Sequence, residues 1–143
     1  MAYLWVIFAL LSAFTAALVA IFAKVGLQNI DTNTATAIRA VIMALFLILV
    51  IAIQGKFGKI SDIFSDSKAL VYIVLSGIAG ALSWLFYFLA IKMGDVSKVV
   101  PIDRLSIVFA IILAFLILSE TISLQAIIGV VLMVVGAILI ALG

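Results

Sequence analysis

Ala69 to Ile91 is a run of 23 residues without a charge. About 20 apolar residues suffice to cross the hydrocarbon of a bilayer. Predominantly apolar runs of similar length recur along the chain, at about 3–23, 34–53, 98–118 and 124–142. In lipid every backbone polar group must be satisfied within the protein, so such runs are helices. The expected fold is all-α, one domain over 1–143, with five transmembrane helices. Composition agrees: 69% of residues are hydrophobic and 10% charged, with a mean hydropathy of +1.58. A soluble domain is about 45–50% apolar and about 25% charged. Cysteine and histidine are absent from the sequence. That excludes disulfides, thiolate chemistry and His-ligated metals, and it removes the commonest general base. With no clustered acid pair either, the sequence carries no catalytic constellation and calls for no cofactor or metal. A net charge of +2, with scattered Lys and Arg, argues against nucleic acid.

No Lys or Arg precedes the first run, so it lacks the positive start of a signal peptide and reads as a retained span. Tyr3 and Trp5 suit the membrane interface. Ala9, Ala13 and Ala17, with Ala16 and Ala20 beside them, form a small-residue face for helix contact. A short turn, 25–33, follows, and Asp31, Thr32 or Asn33 can cap the second helix. The one extended polar linker is 54–68. Phe57, Ile60 and Phe64 make an apolar stripe there, which fits a short helix on the membrane surface or an ordinary solvated loop. The third span is rich in small residues (Ser76, Gly77, Ala79, Gly80, Ala81 and Ser83) ahead of Trp84 and Tyr87. Ser123 can cap the fifth span. Gly129, Gly136 and Gly143 recur every seven residues along it, a smooth stripe for interhelical packing.

Three charges enter the spans. The fourth is read as one helix capped by Ser97, with Pro101 in its first turn and Asp103 and Arg104 inside it. Arg104 then lies about 10 Å along the helix. Arg39 lies equally far from Thr32 in the second span, and both helices start from the same membrane face. Ionisable groups at that depth face a partner or a water-filled cavity. Two guanidinium groups below one face suit an anionic or zwitterionic metabolite. The competing reading is structural, with Asp103 pairing with Arg39 or Arg104 across helices. If transport is proton-coupled, Asp103 is the candidate carrier. Trp84 and Tyr87 either line a cavity and stack on a substrate or cation, or simply pack. Ser83 hydrogen-bonds a ligand or a neighbouring helix. Lys24, Lys92 and Lys98 are expected to snorkel to the interface, and Glu120 to cap or pair at the surface.

Five spans put the termini on opposite sides. Lys56, Lys59 and Lys68 then stand against Lys24, Lys92 and Lys98, three loop lysines on each side. The positive-inside rule needs a bias. Without one, the chain is expected to insert both ways and to form an antiparallel homodimer, unless the arginines or a partner fix its orientation.

Three segments carry a family likeness: FAKVGLQNIDTNTATAIRA (22–40), LSGIAGALSWLFYFLAIKMGDVSKVVPIDRLS (75–106) and LAFLILSETISLQAIIGVVLMVVGAIL (113–139). They resemble the EamA-type proteins of the drug/metabolite transporter superfamily, and most closely its short single-repeat members. The resemblance covers nearly the whole chain. It implies one five-helix repeat that works as a pair around a cavity near the membrane centre; the third and fourth helices are expected to line that cavity. The related small multidrug resistance exporters use a carboxylate in their first helix, and this chain has none there. The leading expectation is a secondary transporter of small polar metabolites, an antiparallel homodimer working by alternating access. Its partners would be the lipid bilayer, a small-molecule substrate and a second copy. The candidate residues are Arg39, Asp103, Arg104, Trp84, Tyr87 and Ser83. The alternative is an accessory membrane subunit needing an oppositely oriented partner. The likeness and the lack of a targeting sequence imply a prokaryotic plasma membrane.

Overall fold

The structure, a computed structural model, describes residues 4–143. Tyr3, expected at the interface, lies outside the described residues. Trp5 is 69% exposed. Seven helices follow in order: α1 (Leu4–Gly26), α2 (Thr32–Ile53), α3 (Lys59–Ser65), α4 (Ser67–Met93), α5 (Val96–Asp103), α6 (Ser106–Leu118) and α7 (Leu124–Leu142). Counting α5 and α6 together as Val96–Leu118, five segments are long and apolar enough to cross a membrane. Large apolar side chains stand exposed along every one of them. For a chain meant for water that would be untenable, because large exposed apolar patches drive association. In a bilayer the same surface is what lipid solvates.

Polar side chains set the helix starts. Asp31 caps α2, accepting from the Thr34 N–H and hydroxyl, both at 2.8 Å. Asp66 accepts from the backbone N–H groups of Lys68 and Ala69 at 3.0 Å each, which starts α4 two residues before the expected 69. Ser123 caps α7, accepting from the Ala126 N–H at 3.2 Å. Each satisfies N–H groups that a helix's first turn leaves without partners. The linker forms the short helix α3, with Ile60 and Phe64 on it and Phe57 in the turn before it.

The fourth span departs from expectation in two ways. The cap position is Asp95, not Ser97, so Pro101 sits in the helix interior rather than the first turn. The span is also two helices, parted at Arg104 and Leu105. Proline removes one backbone donor, and its ring presses on the carbonyl four residues back, which kinks a helix. Here the backbone tightens just after it. Leu105 N–H donates to the Ile102 carbonyl at 3.0 Å, Ile107 to Arg104 at 3.1 Å and Val108 to Leu105 at 2.9 Å, all at a spacing of three residues.

The chain packs as two compact units. One holds the chain up to Val25 together with Ala90–Gly143; the other is Gly26–Leu89. In the first, α5 and α6 pack on α7. Ala20, Ala23, Ile91 and Ala137 are its buried apolar residues. The contact side of α1 therefore carries Ala16, Ala20 and Ala23, and the expected stripe of Ala9, Ala13 and Ala17 is exposed. The glycine stripe of α7, expected to serve interhelical packing within the chain or between subunits, is open here. A Cβ on Gly129 or Gly136 would meet nothing within 4 Å, so that stripe packs against no other helix within the described residues.

Lys24 holds the first unit at the end of α4. Its Nζ donates to the Ile91 carbonyl at 2.9 Å and to the Gly94 carbonyl at 2.8 Å. It thus caps a helix C-terminus, where carbonyls lack partners and a cation is favoured, in place of the expected snorkelling. Gly94 allows the close turn: a Cβ there would lie 3.0 Å from a Val99 methyl. Lys24→Met should therefore strand two carbonyls. We expect a loss of about 2 kcal/mol, or roughly 4–8 °C in Tm, read by thermal unfolding in detergent, with Lys24→Arg falling less.

Candidate functional site: a cation on the wall of an apolar groove

In the second unit, α2 and α4 carry residues that the sequence marks separately. Arg39 lies two turns into α2, eight residues beyond its cap Asp31. Trp84 and Tyr87 lie in the C-terminal half of α4. The structure brings the three together. The Arg39 guanidinium carbon sits 3.6 Å from the centroid of the Trp84 ring and 5.3 Å from that of Phe88. A guanidinium so placed is attracted by the negative face of the π system.

The rings in turn brace each other. Trp84 meets Tyr87 edge-on, with centroids 5.5 Å apart and planes at 89°. It meets Phe88 in the same way at 5.7 Å and 88°. Edge-to-face pairs at such distances are favourable beyond their buried area. Phe88 is 4% exposed and anchors the group. The sequence reading passed over Phe88, although it stands four residues from Trp84 and so shares its helix face.

Arg39 and Trp84 also line a groove of about 550 Å³. From α2 it is lined by Asn33, Thr36, Arg39, Met43 and Leu47, and from α4 by Gly77, Gly80, Ala81, Trp84 and Leu85. The second and third spans therefore line it. The volume lies in the range of small-molecule pockets, about 300–1,000 Å³. Small residues make the room: a Cβ on Gly77 or Gly80 would meet nothing within 4 Å. The polar groups gather at one end. Thr36 is buried, and its hydroxyl donates to the Thr32 carbonyl at 2.7 Å. Arg39 makes no hydrogen bond or ion pair with the described residues of its own unit. The aromatic rings hold the guanidinium, and no described residue of that unit takes its N–H donors.

The other candidates stand apart from this cluster. Ser83 is exposed on α4 and does not line the groove. Asp103 and Arg104 belong to the first unit, at the junction of α5 and α6, and both are exposed. Asp103 ends α5 and Arg104 follows it as the cap residue. Neither has an ion-pair partner among the described residues of that unit. Glu120 is exposed beyond α6, whose last turn closes on Ser119 in the left-handed conformation, φ 55°. No group of three or more acidic residues that could hold a metal occurs among the described residues.

Comparison with known proteins bears on what such a groove serves. The model of the EamA-like transporter family matches residues 3–142. An uncharacterized transporter in the cobO 3′ region of Sinorhizobium sp is 42% identical over 137 residues, 96% of each chain. An uncharacterized protein of Methanocaldococcus jannaschii is 31% identical over 101 residues, 71% of each chain. No solved structure matches. A chain of five long apolar helices, matched from end to end, belongs to the EamA-like transporter family.

Proposed function

We propose that the protein is one repeat of a secondary transporter of small polar metabolites, completed by a second copy in the opposite orientation and working by alternating access. The observation that carries this reading is Arg39. A permanent cation stands partly buried in a span, held against π faces on the wall of a groove, with no hydrogen bond to a described residue of its own unit. Intramembrane cations of this kind mark substrate paths, and a guanidinium suits carboxylate or phosphate. Arg104, nine residues beyond the cap of its own helix, is a second cation at a comparable count from a helix start. We assign roles in transport to Arg104, to Asp103 and to Ser83, the chain neighbour of Trp84. The unfilled glycine stripe of α7 supports a second copy as the neighbour, and the balance of loop lysines supports opposite orientations.

Two outcomes follow. Ser65 is exposed at the end of α3, and the chain has no cysteine, so Ser65→Cys is a single label site. In intact cells a membrane-impermeant maleimide should label about half of the molecules that it labels after permeabilisation. Labelling of none or of all would mean one fixed orientation and would move the completing partner to another chain. In proteoliposomes loaded with mixed amino acids and organic acids, Arg39→Gln should abolish counterflow of the transported solute while the protein still folds, with Tm lowered by a few degrees. Trp84→Leu, which removes a contact of about 1 kcal/mol, should weaken its apparent affinity about fivefold.

A further inference from the structure

The groove is polarised along its length. Asn33, Thr36 and Arg39 supply its polar side chains, all within two turns at the start of α2. From Arg39 to Leu47 the groove follows α2 for eight residues, about 12 Å. Beyond Arg39 its lining is apolar throughout, from Met43 and Leu47 on α2 and Gly77, Gly80 and Ala81 on α4. A sugar, a nucleotide or a dicarboxylate would leave hydroxyls or a second charge against that wall with no partner, which is costly. A second cation to balance a dianion is lacking among the lining residues.

One kind of small molecule matches both ends. Its single anionic head would take the N–H fork of Arg39, whose guanidinium carbon lies 3.6 Å over the Trp84 ring. Its apolar body would lie along Met43 and over the open floor at Gly80 and Gly77. We infer that the groove takes an amphipathic monocarboxylate, a compact organic anion with an unbranched or aromatic apolar body. The volume, about 550 Å³, suits one such molecule and is small for a two-chained phospholipid. The inference rests on the transporter reading and shifts its substrate class from polar metabolites at large to amphipathic anions.

The test uses the protein's own tryptophans. There are two, Trp5 and Trp84, so Trp5→Phe leaves Trp84 as the sole reporter inside the groove. The full chain in phosphatidylcholine nanodiscs is titrated with octanoate, acetate, succinate and octyltrimethylammonium. Octanoate should change Trp84 emission saturably, with at least tenfold tighter half-saturation than acetate or succinate, and the cation should give no saturable change. Arg39→Gln should weaken octanoate at least tenfold. Gly80→Leu fills the floor without touching Arg39, and it should weaken octanoate at least fivefold while leaving the acetate response as it was. An equal response to the cation, or an octanoate response indifferent to both variants, would overturn the inference. Nanodiscs containing phosphatidylglycerol separate the two sources of an anion. An Arg39-dependent shift from that lipid alone, competing with octanoate, would assign the groove to a lipid headgroup and overturn it as well. Counterflow separates the two levels of the reading. Arg39-dependent exchange of small polar acids without octanoate binding would sink the inference and leave the transporter standing. Octanoate binding without exchange of any solute would do the reverse.

Discussion

A backbone carbonyl inside a bilayer has no water to accept from, and the helix ends of this chain are arranged around that constraint. Where a helix begins, a short side chain reaches back: Asp31, Asp66 and Ser123 each take a first-turn N–H. Where α4 ends, the problem is harder, because the orphans are acceptors and need a donor from elsewhere. Lys24 supplies it from 67 residues away in sequence. The same ammonium serves Ile91 and Gly94, so the turn into α5 is fixed to α1 by charge-assisted bonds. Ile91 has no exposed surface, which shields these bonds from competition. Few apolar residues are buried in the chain taken alone, and a directional contact of this kind then counts for more than it would in a soluble core.

Arg39 meets the same medium with the opposite solution. A buried cation is ordinarily neutralised by a carboxylate, and such a pair spends both charge and donors. Aromatic faces act differently. They lower the energy of the guanidinium through its flat side while leaving its net charge and its N–H edges in place. The edge-to-face contacts of Trp84 with Tyr87 and Phe88 hold the platform still. A cation stabilised but not cancelled is what a site needs if an anion is to come and go.

Much of this was legible in the sequence, for physical reasons that differ by level. Long uncharged runs can only be helices in lipid, so the all-α reading with five apolar segments stands, and the family likeness drawn from 22–40, 75–106 and 113–139 is matched over 3–142. Caps are local, so Asp31 and Ser123 were readable. Lys24 was not, because nothing local says that its partners are the carbonyls of Ile91 and Gly94. Arg39, Trp84 and Tyr87 were each visible as odd residues in apolar helices. Their meeting depends on the register of α2 against α4, which no periodicity within either helix encodes. Phe88 was missed although its spacing from Trp84 was in plain view. One phenylalanine among so many apolar neighbours carries no mark until the cation beside it is known.

Pro101 shows how one misplaced boundary propagates. With Ser97 as cap, the proline falls in a first turn and costs nothing, and Asp103 and Arg104 ride a regular helix. With Asp95 as cap, it falls inside, and the helix must give way within a turn. The chain gives way at Arg104 and Leu105, where three-residue hydrogen bonds replace four-residue ones. A helix interrupted within a span tolerates its loosened backbone only where protein or a water-filled cavity receives it. The two arginines of this chain therefore stand on different footings. Arg39 projects from an unbroken helix onto a rigid aromatic bed. Arg104 sits on the joint itself, so its position follows the angle between α5 and α6. A change in that angle would move Asp103 and Arg104, the two charged residues at the joint, with it.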